Sequence, residues 1–130
     1  YVECRCNFNA DNYWLKKPGI SAVFRLAMPQ NTDEALKAIP KRRRADVRKG
    51  LKAAESGQLA VRHDGSPETF YKLYSGSLRR LGTPVFSRKF LRSLLAQFIT
   101  QSEISVVEHD GAPVAALLTF YFNEVALPYY

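Results

Sequence analysis

"EISVVEHDGAPVAALLTFYF", residues 103–122, is the stretch on which the fold turns. Two runs of mostly strand-forming residues flank Asp110-Gly111, a dipeptide suited to the positive φ angles of a tight hairpin turn. The spacing predicts residues 104–109 paired antiparallel with about 113–122. The second run is apolar at nearly every position, the pattern of a strand covered on both faces. "EVALPYY" follows, and its Pro128 has no N–H to give a ladder. The sheet must be interrupted there, or the strand must lie at an edge or a bulge.

Upstream of the hairpin the chain reads as helices. In "DGSPETFYKLYSGSLRRLG", residues 64–82, Ser66 is the N-cap, Pro67 opens the helix and Gly82 stops it, with a buried stripe of Phe70, Leu73, Tyr74, Ser77 and Leu81. "TPVF" breaks the chain, and Ser87 caps a second helix with Phe90, Leu91, Leu94, Leu95 and Phe98 at helical spacing. Before these lies a short strand, "QLAVRH". Earlier still, "NTDEALKAIP" offers Thr32 as the cap of a short helix that Pro40 ends. Residues 1–6 and 22–28 have strand character, and Cys4 and Cys6 sit two apart as buried thiols rather than a disulfide or a metal site.

Between Pro40 and the short strand stands a concentrated block of charge. Residues 40–52, "PKRRRADVRKGLK", hold seven Lys and Arg against Asp46 alone. The whole chain has 19 basic and 12 acidic residues, so the remainder is close to balanced and the basic character is local. Pro40 at the first helical position and Gly57 as a stop predict a helix over about 41–55, with Val47, Leu51 and Ala54 as a thin apolar stripe. Gly50 in its interior and like charges three and four apart both weaken such a helix. A docked anion is one way to offset those terms; a solvated face is the plain alternative.

At 130 residues and 46% hydrophobic content the chain is long enough for one packed core. No run approaches a membrane span and no signal-peptide order opens the chain, which predicts a cytoplasmic location. "RRLGT" superficially matches a pyrophosphate-binding loop. Such a loop must open a helix, and this one closes a helix. His63 and His109 are isolated and read as surface or strand-end residues, and neither a P-loop, a dinucleotide fingerprint nor zinc spacing occurs.

The order of basic helix, strand, two helices and hairpin is that of a GNAT-type acyltransferase lobe. "AIPKRRRADVRKGLKA", "FYKLYSGSLRRLGTPVF" and "PVAALLTFYFNEVALPYY" together resemble the FemAB-like proteins associated with PEP-CTERM and exosortase systems, and less closely the FemABX aminoacyl transferases. The resemblance implies an α/β (α+β) fold with a mixed, largely antiparallel sheet flanked by helices. It also implies two tandem lobes. Residues 1–39 would then end the first, and 40–130 would begin a second, incomplete one that is inactive by itself.

The function so implied is transfer of an acyl or aminoacyl group to an amine of a cell-envelope precursor, with aminoacyl-tRNA or acyl-CoA as donor and no covalently bound cofactor. No catalytic residue or metal ligand is assigned. Leu127, Tyr129 and Tyr130 are expected to wall the acyl site beside a strand interruption, with Thr83 and Arg80 near the acceptor. Arg44, Arg48 and Lys49 are expected to hold phosphate, since donors and precursors of this kind all carry it. The expected partners are a phosphate-bearing envelope precursor, tRNA and the inner membrane surface. A nucleic-acid-binding module and a coenzyme A-dependent N-acetyltransferase are the alternatives.

Overall fold

The computed structural model describes residues 25–130. The expected strand over residues 1–6 and the Cys4–Cys6 pair lie outside the described residues. Of the strand expected over 22–28, Arg25–Met28 have no regular structure, and Leu26 and Met28 are about three-quarters exposed. With no ladder partner and no buried face, β-forming residues have nothing to hold them extended as a strand.

Helix α1 spans Thr32–Ala38. Its cap is Asn31 rather than Thr32: the Asn31 side-chain oxygen accepts from the Glu34 N–H at 3.0 Å, and a Glu34 carboxylate oxygen accepts from the Gln30 N–H at 3.0 Å. The first bond satisfies an amide that a helix start leaves unpaired, and the second ties the approaching chain to the first turn. A second compact unit begins at Ile39, and the remaining elements belong to it.

Helix α2 runs Lys41–Glu55, with Pro40 at the N-cap, one position before the first helical residue where it was expected. Strand β1 is Leu59–Arg62, α3 is Pro67–Leu81 and α4 is Arg88–Gln97. Ser66 and Ser87 cap α3 and α4 by accepting from Thr69 N–H and Phe90 N–H, each at 3.1 Å. At the other end of α3, Gly82 takes φ 69°, its N–H donates to the Arg79 carbonyl, and the Thr83 N–H donates to the Leu78 carbonyl. This paired closure needs a left-handed residue, which Gly supplies without a Cβ clash.

Strands β2 (Ser102–His109), β3 (Ala112–Phe122) and β4 (Val125–Pro128) complete a sheet ordered β1-β2-β3-β4, antiparallel throughout. Asp110 and Gly111 both have positive φ, as the hairpin requires. A second such turn, at Asn123 and Glu124, joins β3 to β4.

One sheet face carries the core. Ile104 pairs with Leu118 and Val106 with Ala116, and this row packs against Phe70 and Tyr74 of α3 and Leu91 of α4. The chain crosses onto this sheet through Gly65, whose N–H donates to the Ile104 carbonyl. A Cβ at Gly65 would lie 2.5 Å from a Val106 methyl and 2.6 Å from an Ile104 methyl, so only Gly fits. The expectation that β3 is covered on both faces is corrected: both packing helices sit on the Leu118 side, and Leu117 and Tyr121 on the other remain exposed. The stripes are shorter than expected too. Leu81 is exposed at the end of its helix, and Phe90 and Phe98 are partly exposed while packing against Phe86 and Phe120.

Candidate functional site

The irregularity expected near Pro128 takes a specific form. Leu118 accepts from the Tyr129 N–H at 2.8 Å and, weakly, from the Tyr130 N–H at 3.5 Å, while its own N–H donates to the Tyr130 carbonyl at 2.7 Å. Two consecutive residues therefore oppose one, which defines a β-bulge. Pro128 sits just before it, opposite Thr119. Because backbone groups alternate in direction along a strand and Leu118 turns toward β4, Pro128 occupies a position that needs no ladder donor. Among the described residues β4 pairs only with β3, so the bulge lies on an outer strand.

The bulge brings Tyr129 and Tyr130 onto the core face together. Tyr130 meets Tyr74 edge-on at 4.9 Å between ring centres, Tyr129 at 4.6 Å and Phe86 at 5.9 Å, and Tyr129 also contacts Phe120. Burial, together with the neighbouring Tyr129 and Tyr74, pushes the Tyr130 phenol up to about 12. It stays protonated, and a hydrogen-bond donor, across the neutral range.

The loop between α3 and α4 is fastened to the same cluster. Tyr74, one-fourteenth exposed, accepts from the Phe86 N–H at 3.4 Å, and the Tyr71 hydroxyl donates to the Phe86 carbonyl at 3.2 Å. The Arg88 guanidinium lies over the Tyr71 ring at 4.8 Å. Both polar atoms of one backbone residue are thus held by two tyrosines three apart on α3, while its ring touches Tyr130 and Phe90. Sequence reasoning placed Tyr74 on a core stripe and missed this second role. The signal available was the tyrosine pair itself, since a buried phenol oxygen needs a partner.

The sequence-predicted site residues fall into two groups. Tyr129 and Tyr130 stand at the bulge, Leu127 is exposed on β4 opposite Phe120, and Arg80 and Thr83 are exposed where α3 closes into the loop that carries Phe86. Arg44, Arg48 and Lys49 are elsewhere, on α2. That helix packs on β1, at the sheet edge opposite β4 and about 14 Å from it at ordinary strand spacing. Arg44 is half-buried and its Nε donates to the Ile39 carbonyl at 2.8 Å, so part of its role is to tie the helix to the residue before Pro40. Arg48 and Lys49 are exposed.

His63 is not isolated, as its sequence neighbours implied. Its Nδ1 lies 2.9 Å from a Glu103 carboxylate oxygen and 3.2 Å from the Ser105 hydroxyl, which itself donates to the same carboxylate at 2.9 Å. These bonds hold the Glu103 carboxyl below its usual range, the one from His63 first. Serine and carboxylate share one ring nitrogen here. An activated nucleophile needs them on opposite nitrogens, so the cluster is not a hydrolase triad. Among the described residues His109 reaches only Asp110, at 3.4 Å.

A scan against protein families matches residues 41–130 to the acetyltransferase (GNAT) domain. The match spans α2 to the bulge, which is most of the chain. No curated protein matches this sequence. No helix among the described residues is long and apolar enough to cross a membrane.

Proposed function

We propose, taking as premise that this chain belongs to the acetyltransferase (GNAT) domain family, that it serves transfer of an acyl or aminoacyl group to an amine of a cell-envelope precursor such as a peptidoglycan or exopolysaccharide intermediate. The family makes it an acyltransferase domain in general terms. The narrower reading draws on the resemblance of "AIPKRRRADVRKGLKA", "FYKLYSGSLRRLGTPVF" and "PVAALLTFYFNEVALPYY" to FemAB-like proteins.

The observation that carries the reading is the bulge opposite Leu118. Attack of an amine on an acyl carbonyl builds negative charge on oxygen, and donors fixed in advance stabilise it. The Tyr130 N–H, at 3.5 Å from its only ladder acceptor, is weakly engaged and can turn to such an oxygen. The Tyr130 phenol, protonated at neutral pH, is a second donor at the same strand end. Thr83 and Arg80, where α3 closes into the loop pinned through Phe86, are read as the acceptor side of the site. Arg48 and Lys49 meet phosphate away from the reacting carbonyl.

The family's description favours a second donor chemistry, acyl-CoA in an N-acetyl transfer. A nucleic-acid module is less well supported, because residues 40–62 contain no aromatic side chain on which a base could stack. The test follows the amide resonances of Leu118, Tyr129 and Tyr130 while acetyl-CoA and an aminoacyl-tRNA are added in separate arms. The donor that moves the Tyr130 amide and leaves Gly111 unmoved is the one used. If neither moves it, the bulge is not the acyl site.

A further inference from the structure

We infer that the outer face of α2 is a docking surface for an anionic lipid bilayer. At the ideal helical step, Lys41, Arg42, Arg48, Lys49 and Lys52 fall within an arc of about 120° centred on Ala45. All five are exposed and none makes a salt bridge among the described residues. The other two cations of the helix are engaged elsewhere: Arg43 faces Asp46 at 4.0 Å, and Arg44 bonds the Ile39 carbonyl. Glu55, at the C-terminal end, is the only carboxylate of the helix that borders the arc.

The arc is turned away from the sheet on which the helix packs. Half-buried Val47 lies about 160° round the helix from Ala45, on the side that packs against β1. The bulge is at the opposite sheet edge, so this charge lies away from the groups gathered there. It is also unlike a nucleic-acid surface. The cations are spread across the width of a convex helix rather than along one line, and no aromatic accompanies them. A plane of anionic headgroups engages all five at once, because Lys and Arg stems bend toward a flat surface from either flank. With no apolar residue larger than Ala45 in the arc, the contact is electrostatic and shallow. It deepens the phosphate-contact reading of Arg48 and Lys49 by naming the phosphate's source, and it stands whether or not the bulge holds the acyl group.

The experiment sediments the full 130-residue chain with phosphatidylcholine vesicles, with and without phosphatidylglycerol. Binding is expected only with the anionic lipid and should fall with salt. At roughly fivefold per cation, Arg42→Ala with Lys49→Ala should weaken it about 25-fold. Lys72→Ala with Lys89→Ala, equal in charge but on α3 and α4, should change it far less; circular dichroism confirms that both variants are folded. Sodium phosphate and sodium chloride at equal ionic strength should compete equally. The proposal is overturned by equal binding to neutral vesicles, by equal loss in the two double variants, or by phosphate competing specifically, which marks a discrete ion site. A short RNA duplex bound while anionic vesicles are not would assign the arc to nucleic acid instead.

Discussion

Leu118 and Tyr130 are joined backbone to backbone, the Leu118 N–H donating to the Tyr130 carbonyl at 2.7 Å, while the Leu118 side chain is wholly buried in the core. One residue therefore fixes both the packing under the sheet and the irregular end of β4. Leu118→Ala should cost about 3 kcal/mol in urea denaturation, the transfer loss plus the cavity left behind. It should also speed hydrogen exchange at Tyr129, whose amide bonds the same residue. A loss below about 1 kcal/mol would show that Leu118 is not central to the core.

Tyr130 should confer a specific sensitivity to alkali. Its folded pKa, about 12, lies above the ordinary phenol value near 10, so the folded state favours the protonated form. The associated stability is complete below pH of about 10 and is lost as pH rises toward 12. Thermal melts across that range should show a decline that is shallower in Tyr130→Phe. An identical decline in both proteins would place the alkaline transition at another group.

Tyr74→Phe removes the hydroxyl that accepts from the Phe86 N–H but keeps the ring in the core. The bond is long, so the global cost should be about 0.5 to 1 kcal/mol. The local effect should be larger: faster amide exchange at Phe86, with little change at the Asp110-Gly111 turn. Tyr71→Phe should add to it by releasing the Phe86 carbonyl. If the Phe86 amide is equally protected in all variants, something other than the tyrosine pair holds the loop.

Gly65→Ala should destabilise by about 1 to 3 kcal/mol, because the added methyl meets the methyls of Val106 and Ile104 inside contact distance and the loop must lift from β2. Gly50→Ala is the contrast. It meets nothing nearby and sits in a helix interior, so it should stabilise by up to about 1 kcal/mol. Similar effects at both positions would contradict the close approach at Gly65.

Acid should release the Glu103 cluster. The carboxyl's pKa is depressed by its bonds from His63 and Ser105, so its stabilising contribution is present above about pH 4.3 and is lost as pH falls through the lower folded value. Glu103→Gln should remove that part of the acid dependence. Denaturation midpoints that track each other below pH of about 4 would mean that Glu103 contributes nothing there.

Local chemistry written in short spans was legible from the sequence. Ser66, Pro67 and Gly82 bound α3, Ser87 starts α4, and Asp110-Gly111 turns the hairpin, because caps and turns depend on groups within a few residues of one another. Pro128 announced that the last strand could not be a regular interior one. The Asn31 cap was misplaced by one residue, since several polar residues in a row offer the same oxygen. Tertiary structure alone decided the rest. That Leu118 opposes both Tyr129 and Tyr130 depends on a strand register, that Phe86 is held by Tyr71 and Tyr74 on how a loop settles on a helix, and that His63 meets Glu103 on a contact between residues forty apart. Separating the basic helix from the bulge depended on the order of strands in the sheet. Periodicity identifies which face of an element is apolar. Which residues of distant elements come together is set by the packing of those faces on one shared core.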